Sequence, residues 1–257
     1  MSDGFYVGAI GLGAQQRALD VIANNIANVN TPGFKRNQLR FYNLIASQSP
    51  SQTAAADLGQ AMDQSAGVAL DSSPLLNDAG EIERTGRTMD LAIDGMGFIE
   101  LMGPAGQTLL WRGGNLKINE DGLLAAANGM ALRAGITVPA DATAITIAAD
   151  GRVSAAVPDS ADPVEIGQIE LVRLEDIASV EPMDGAVYRV RDGASLTQAA
   201  PGEAGLGTLA QGAVEKSNTA LNDEMVALML VQRAYAANAQ IVQAADQLMA
   251  IANGLRR

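Results

Sequence analysis

Residues 217–251 read SNTALNDEMVALMLVQRAYAANAQIVQAADQLMAI, and this stretch predicts the longest helix of the chain. Two neighbouring heptad positions are apolar at every repeat, which is the spacing of a helix that packs against other helices. The two series are Ala220, Ala227, Ala234, Ile241 and Leu248, and Leu221, Leu228, Tyr235, Val242 and Met249. A helix with so much apolar surface needs neighbours around most of its circumference.

The predicted start of this helix carries residue types that favour a helix N-terminus. Ser217 and Asn218 suit capping positions, where a side-chain oxygen accepts a hydrogen bond from a backbone N–H. Asp223 and Glu224 suit the positive end of the helix dipole. We therefore expect the helix to begin near Ser217.

A second helix is predicted at the other end of the chain, from about residue 4 to about residue 28. Phe5, Leu12, Leu19 and Ile26 recur seven residues apart and form a narrow apolar stripe along it. The sequence NTPG at residues 30–33 ends this helix, because proline lacks an N–H donor and glycine permits the turn.

Between the two helices the sequence predicts an antiparallel β-domain over residues 71–211. Short runs of strand-forming residues precede Asp-Gly pairs, and Asp-Gly accommodates the positive φ angles of tight hairpin turns. The four runs are residues 91–93, 116–118, 144–147 and 187–190, and the pairs begin at Asp94, Asp121, Asp150 and Asp192. Residues 34–70, with many Ser, Gln, Ala and Asp residues, predict an extended linker.

These segments place the chain in the α+β class. We expect residues 1–33 and 212–257 to form a helical domain, in which the N- and C-terminal helices pair in a coiled-coil-like manner and flank the central β-domain. Two helices alone leave apolar surface that neither covers, and exposed apolar area of this kind favours association. The sequence therefore predicts that the terminal helices are completed by other copies of the chain.

Composition excludes several classes of function. The 257 residues include no cysteine and no histidine, which removes Ser-His-Asp and Cys-His catalysis, thiolate metal sites and disulfides. The formal net charge is −12, and residues 41–210 carry nine basic and 23 acidic side chains. Such a chain lacks the basic face that nucleic-acid binding needs. We expect no catalytic residue, no cofactor, no metal and no nucleic-acid partner.

The sequence does not predict insertion into a membrane. The longest continuous apolar run, residues 225–231, is far shorter than the ~18 residues of a membrane span. The start, MSDGFYVGAIGLG, has no basic region and only a short apolar stretch, so we expect no cleaved secretory signal.

Three blocks of the sequence resemble the bacterial flagellar rod and hook protein family. Residues 18–36, ALDVIANNIANVNTPGFKR, look like the N-terminal signature of the family, and residues 90–98, DLAIDGMGF, resemble the block that opens its central β-domain. The QRAYAAN stretch at residues 232–238 is similar to the C-terminal helix of the family. The length fits the rod members that carry a central β-domain of this size.

This resemblance implies a structural subunit and no enzymatic activity. Copies would form a helical polymer, a tube that crosses the periplasm within the flagellar basal body, encloses an export channel and transmits torque. The terminal helices would form the inner tube, with the C-terminal helix innermost, and the acidic β-domain would face the surrounding basal-body rings. Other rod proteins and the hook protein would be its partners, and export would use the flagellar type III apparatus without a cleaved signal peptide.

The apolar seams and the polar residues among them predict the surface through which copies contact each other. The predicted polymer interface consists of Leu12, Leu19, Ile22, Asn25, Ile26, Asn28, Leu221, Leu228, Val231, Tyr235, Asn238, Val242 and Met249. Asn25 and Asn28 have an alternative role as local caps near the end of the first helix.

Two other classes of function remain open from the residues alone. A monomeric surface protein would bind a ligand through the β-domain and use the helices as an internal clasp. A carboxylate-driven hydrolase would need two facing acids, and nothing in the sequence singles out such a pair. We expect Trp111 to belong to the β-domain core rather than to a sugar-binding platform.

Overall fold

The computed structural model describes residues 2–43, 68–76, 78–158, 160, 162–175, 180–183, 186–191 and 194–254. Helix α1 spans Ser2–Ala27, helix α2 spans Leu221–Gly254, and antiparallel strands lie between them in the sequence. The α+β prediction is confirmed in this respect. Coiled-coil geometry between the helices stays a prediction.

The strands are short, and their bounds match the predicted runs closely. Residues 144–147 and 187–190 were predicted as strand residues and form β9 and β14. The described strands are β1 Asn37–Asn43, β2 Val68–Pro74, β3 Ile82–Arg84, β4 Asp90–Asp94, β5 Phe98–Met102, β6 Thr108–Trp111, β7 Gly113–Ile118, β8 Leu124–Ala126, β9 Ala144–Ile147, β10 Arg152–Ala156, β11 Val164–Gln168, β12 Leu171–Leu174, β13 Val180–Pro182, β14 Val187–Val190, β15 Leu196–Ala199, β16 Thr208–Gln211 and β17 Ala213–Glu215. A 3-10 helix spans Pro104–Gly106.

The chain divides into two compact units. The first, called the helical unit below, holds the described parts of residues 1–26, 37–73 and 221–257, and so contains both helices and the β1–β2 ribbon. The second, called the β-unit, holds those of residues 27–36 and 74–220. The β-unit therefore includes the residues that follow α1 and those that precede α2.

Sheets of the β-unit pack around one large core. A six-stranded sheet has the order β13-β14-β6-β5-β12-β15, and a four-stranded sheet has the order β16-β4-β7-β8. Strands β11-β10-β9 form a third sheet, and β17 pairs with β3. Trp111, Leu91 and Leu171 are among the fully buried side chains of the core, as predicted for Trp111.

The Asp-Gly pairs have two different roles in the β-unit. Those at Asp121 and Asp150 close hairpins between β7 and β8 and between β9 and β10, as predicted. The pair at Asp94 does not form a hairpin, because β4 and β5 belong to different sheets. Gly95 has a φ of 118°, and its Cα side approaches Gly207 so closely that a Cβ would lie 2.7 Å from the Gly207 Cα. The pair at Asp192 lies outside the described residues.

The predicted start of the C-terminal helix is wrong by four residues. Helix α2 begins at Leu221, and Ser217 and Asn218 lie in the β-unit. The Asn218 side-chain oxygen accepts a hydrogen bond from the Arg36 N–H at 2.6 Å, and its amide donates to the Asp78 carbonyl at 3.0 Å. These partners hold Asn218 away from a helix cap.

Part of the predicted linker is ordered as a ribbon. Strands β1 and β2 pair with each other at the two ends of the segment 34–70. Residues 44–67, the middle of the predicted linker, lie outside the described residues. Within the described part of the chain, no helix combines the length and the apolar character that a membrane crossing requires.

Strand β7 begins at a glycine that no other residue can replace without strain. Gly113 has a φ of 106°, and a Cβ at this position would lie 2.6 Å from the Leu91 carbonyl oxygen. We predict that Gly113→Ala lowers the free energy of unfolding by about 3 kcal/mol or more. Gly86→Ala is the control, since Gly86 has a φ of 72° with open space around it, and we expect a loss of about 1 kcal/mol there. Chemical denaturation followed by Trp111 fluorescence measures both losses; equal losses would contradict this account of β7.

Candidate functional site

Small residues line the buried side of helix α1. Ala14, Ala18, Ile22 and Asn25 are buried. The predicted interface residues Leu12, Leu19 and Ile26 flank this line and are half-buried. The predicted heptad stripe therefore lies at the edge of the packed side of α1, and alanines occupy the centre of that packed side. Alanine at the centre of a helix contact allows the two backbones to approach closely.

Two contacts join α1 to α2 inside the helical unit. The Asn25 side-chain amide donates to a Glu224 carboxylate oxygen at 3.3 Å. Gly11 faces Asn238, whose amide nitrogen lies 3.2 Å from where a Gly11 Cβ would be. Between the two contacts the residue number rises by 14 on α1, from Gly11 to Asn25, and falls by 14 on α2, from Asn238 to Glu224. The helices are therefore antiparallel. At a rise of 1.5 Å per residue, the two contacts lie about 20 Å apart along each helix.

One side of α2 is covered along the line that contains these two contacts. The predicted interface residues Leu228, Val231, Asn238 and Val242 are half-buried on this side. Successive members of this set are three, seven and four residues apart, which is the spacing of one face of a helix. We call this side of α2 the inner seam; its covered members are Glu224, Ala227, Leu228, Val231, Asn238, Ala239, Val242 and Ala245.

The other predicted interface residues have varied surroundings. Leu221 and Tyr235 are 42% and 40% exposed, at the margin of the inner seam. Ile22 and Asn25 are buried inside the helical unit, and Asn28, half-buried, accepts a hydrogen bond from the Thr31 hydroxyl at 3.1 Å. Met249 belongs to α2, and its side chain lies outside the described set.

A second apolar face of α2 is exposed, and sequence reasoning did not separate it from the first. Val226, Leu230, Ile241 and Ile251 are between 52% and 62% exposed. With the exposed Ala237 and Ala244 they recur at intervals of four, seven, four, three and seven residues. At about 100° per residue, these six positions fall within about 80° of each other and about 130° from the inner seam. We call them the outer stripe.

The third face of α2 is polar but almost uncharged. Met225 and Met229 are each 52% exposed there. Four glutamines accompany them, at positions 232, 240, 243 and 247, and all four are exposed. Between residues 225 and 254 the helix carries only Arg233 and Asp246 as charged residues. The three faces of α2 are thus chemically distinct.

Asn25 uses its whole amide group within the chain. Its oxygen accepts from the Asn37 N–H at 2.9 Å, and its nitrogen donates to the Asn37 carbonyl at 3.0 Å as well as to Glu224. The side chain therefore ties the chain that enters β1 back to α1 and links it to the first turn of α2. These partners lie 12 and 199 residues away in the sequence, so the contacts differ from the predicted local cap, and the role of Asn25 as a polymer contact stays a prediction.

A buried ion cluster lies in the β-unit, where the sequence analysis predicted no site. The Glu215 carboxylate accepts from Lys35 Nζ at 2.6 Å and from Arg112 Nε at 2.6 Å. All three side chains are at most 2% exposed. Lys35 also donates to the Asp78 carbonyl at 2.7 Å, and the Arg112 guanidinium lies 5.7 Å from the centre of the Phe98 ring. Two cations thus share one carboxylate in the protein interior.

Burial sets the electrostatics of this cluster. It lowers the pKa of Lys35, and the nearby Glu215 carboxylate only partly offsets this effect. Burial also raises the pKa of the Tyr188 phenol, which has a hydrogen bond with the Lys35 backbone. The protonated Lys35 is therefore held at a cost in free energy. The sequence carries almost no local signal for the cluster, because Glu215 ends the short run 213–215 and nothing there marks it as buried.

Three family models match successive parts of the chain. The model described as flagella basal body rod protein matches residues 5–35, which contain most of α1. The model of the flagellar hook protein FlgE/F/G D1 domain matches residues 92–155 in the β-unit. The model of the flagellar basal body rod FlgEFG protein C-terminal matches residues 210–255, which contain α2.

Full-length relatives extend this similarity to the whole chain. The flagellar basal-body rod protein FlgG of Caulobacter vibrioides is 35% identical over 256 residues, which cover 96% of this chain and 97% of the relative. FlgG of Borreliella burgdorferi is 32% identical over the full length of both chains. FlgF of Caulobacter vibrioides is 29% identical, over 96% of this chain and 95% of the relative.

These matches bear on a finer prediction within the family. The stretch at residues 136–143 and the segment 41–70 look like the distal rod protein, with a proximal-rod relative as the alternative. The FlgG matches confirm the resemblance to the distal rod protein. In Caulobacter vibrioides, FlgG is more similar to this chain than FlgF is, at 35% against 29% identity.

The buried position of Asn25 predicts a large effect of charge at that residue. We expect Asn25→Asp to lower the free energy of unfolding of the helical unit by about 3–5 kcal/mol, because it buries a second carboxylate beside Glu224 and the Asn37 carbonyl. Asn222→Asp is the matched control at an exposed position of the same unit, and we expect a change below about 1 kcal/mol. Thermal unfolding followed by circular dichroism at 222 nm compares the two; a tolerated Asn25→Asp would show that residue 25 is not buried as described.

Proposed function

Because the chain belongs to the flagellar basal-body rod protein family, we propose that it is a subunit of the distal rod that assembles with copies of itself into a helical tube. Its relatives are named flagellar basal-body rod proteins, which supports a structural role in the basal body for this chain. The tube would cross the periplasm, transmit torque and enclose the export channel. Other rod proteins and the hook protein would be its partners along the axis.

The outer stripe is the observation that carries self-assembly. Burial of a Leu or Ile side chain is worth about 1.5–3 kcal/mol relative to exposure. Val226, Leu230, Ile241 and Ile251 lie along one face of a single helix, so one neighbouring helix can cover all of them. Each of the four is a little over half exposed, so covering them contributes roughly 3–7 kcal/mol, comparable with the ~4–15 kcal/mol cost of association; a polymer, where each copy has several neighbours, therefore favours burial of the stripe more than a single pair does.

A second copy of the chain is the occupant that best fits this stripe. The spacing of the stripe is that of a helix-to-helix contact. Arg233 and Asp246, the only charged residues from 225 to 254, have opposite signs, so this length of α2 has no net charge that would repel another copy. The family relationship supports the same occupant, since the matched models cover both rod and hook proteins and membership of such a family suggests assembly among its members.

This proposal revises which residues contact other copies. Leu228, Val231, Asn238 and Val242, predicted as polymer contacts, are half-buried on the inner seam, the side of α2 that holds the two described contacts with α1. We propose that the outer stripe makes the contacts between copies and that the inner seam holds each copy's own helix pair. The third face, with its glutamines and two methionines, would then face the channel.

Two leucines two residues apart separate these roles. We expect Leu230→Ala, at a 61% exposed position, to raise the critical concentration for polymer formation by about 10- to 100-fold while the melting temperature of the free chain stays within a few degrees. Leu228→Ala, at a half-buried position, should instead lower the stability of the helical unit by about 2 kcal/mol.

Sedimentation velocity over a concentration series, with electron microscopy of the polymers, measures the critical concentration of Leu230→Ala. Circular dichroism measures the loss of stability in Leu228→Ala. If Leu230→Ala assembles at the wild-type critical concentration, the outer stripe is not the interface between copies. A wild-type chain that stays monomeric at every concentration, with the stripe protected from hydrogen exchange, would favour the monomeric ligand-binding alternative.

A further inference from the structure

Three segments of the β-unit meet around the buried ion cluster. They are residues 33–36, which follow α1, residues 75–80, which follow β2, and residues 215–218, which precede α2; we call this meeting point the junction. The Gly33 N–H donates to the Glu215 carbonyl at 2.7 Å, and the Leu75 N–H donates to the Arg36 carbonyl at 2.9 Å. The junction thus gathers both segments through which the chain leaves the β-unit toward its helices.

The Glu215 carboxylate is the centre of the junction. One oxygen accepts from Lys35 Nζ at 2.6 Å and from the Gly80 N–H at 2.7 Å, and the other accepts from Arg112 Nε at 2.6 Å. Arg112 also donates to the carbonyls of Gly97 and Gly95. A single side chain therefore joins the segment after α1, the segment after β2 and the core strands of the β-unit.

Asn218 makes a second set of ties between the same segments. Its oxygen accepts from the Arg36 N–H at 2.6 Å, and its nitrogen donates to the carbonyls of Asp78 and Leu75 at 3.0 and 3.3 Å. Its own N–H donates to the Phe34 carbonyl at 3.4 Å. Asn218 therefore repeats, without charge, the ties of Glu215 to the segment after α1 and to the segment after β2, but not its tie to the core strands.

Stability alone does not account for this arrangement. Buried ion pairs are often replaceable by apolar residues without loss of stability, because desolvation offsets the attraction between the charges. The junction also contains two cations for one carboxylate, which makes its burial less favourable. Unlike apolar contacts, ion pairs and hydrogen bonds depend on the distance and direction between two groups, so they fix the relative positions of the segments that carry these groups. In some proteins, buried polar groups select one arrangement of structural elements over others.

We propose that Lys35, Glu215 and Asn218 are positioning residues that lock the segment after α1 and the segment before α2 to each other, so that the two segments move as one body. The inference rests on the proposed function for its purpose. In a rod that transmits torque, force on the β-unit reaches α1 and α2 through these segments, and the lock prevents one from sliding against the other. The expected consequence of its loss is a softer polymer built from stable subunits.

Lys35→Met in the full-length chain is the direct test. It removes the tie to the segment after α1 and leaves Glu215 paired with Arg112, so we expect the melting temperature to stay within a few degrees of wild type. Hydrogen exchange at the Gly33 and Arg36 amides should become about 10- to 100-fold faster, the effect of losing a charge-assisted hydrogen bond. Exchange at core amides of β6 should not change, whereas a general loss of stability would accelerate all of these amides together.

The absence of cysteine from the chain allows a second readout. Spin labels at Asn30→Cys and Ala220→Cys, two exposed positions of the β-unit on either side of the junction, report the distance between the two segments. We expect a narrow distance distribution in the wild-type background and one at least twice as broad with Lys35→Met. Equal widths, together with unchanged exchange at Gly33, would overturn the proposal.

Control variants keep the test decisive. Glu181→Gln is the matched control, because the Glu181 carboxylate also pairs with two basic side chains, Arg189 and Arg191, but at the surface. It should change neither the hydrogen exchange nor the spin-label distances. If Lys35→Met fails to fold, as judged by Trp111 fluorescence, Asn218→Ala takes its place, since it leaves the buried charges paired. The same broadening is expected from Asn218→Ala, and its absence would count against the lock.

The polymer gives a readout that separates this inference from the proposed function. If wild-type polymers form, those of Lys35→Met should assemble at the same critical concentration but show a persistence length at least twofold shorter by electron microscopy. An unchanged persistence length would refute the mechanical role of the junction. If the wild-type chain forms no polymers, the proposed function fails, while the spin-label and exchange results on the free chain still decide whether the lock exists.

Discussion

Helix α2 carries more apolar surface than its own chain covers, and the proposed assembly depends on this excess. Its inner seam is occupied along the side that contacts α1, while the outer stripe, including Leu230 and Ile241, is exposed. In a two-helix pair, a long helix that is apolar on two sides leaves one of them exposed to water, and exposed apolar area of this kind favours association. The chain belongs to the family of flagellar basal-body rod proteins, and we propose that many copies share these surfaces.

The chemistry of α1 explains why one partner cannot serve both sides. Its packed side has Ala14 and Ala18 at the centre, which allow a close approach to the inner seam over a narrow width. The two described contacts, at Asn25 and at Gly11, lie on the same side of α2. The described contacts with α1 leave the opposite side of α2 to other partners, and we propose that these are other copies.

The sequence predicted elements well where local chemistry determines them. Strands β9 and β14 and the hairpins at Asp121 and Asp150 follow from strand-forming runs and Asp-Gly turns, which act over a few residues. The turn at Asp94 was misread because its geometry depends on Gly207, more than a hundred residues away. The start of α2 was misread for the same reason, since the partners of Asn218 lie near residues 36 and 78.

The candidate site was predictable only in part. Heptad counting finds that α2 is apolar on several sides, but it cannot assign one side to α1 and another to a neighbour, because that division depends on which residues of α1 face α2. The buried cluster of Lys35, Arg112 and Glu215 joins residues 180 positions apart in the sequence, and each looks like an ordinary surface charge when read alone. Long-range polar contacts of this kind leave almost no local signal.

Thiol labelling of the assembled protein tests the central claim most directly. In a chain without other cysteines, Ile241→Cys reports the outer stripe and Gln243→Cys reports the third face of the same helix turn. We predict that a small maleimide reacts with both at similar rates in the free chain, and that assembly slows the reaction at position 241 by at least tenfold more than at position 243. Equal reactivity of the two positions in the polymer would contradict the claim that copies of the chain cover the outer stripe.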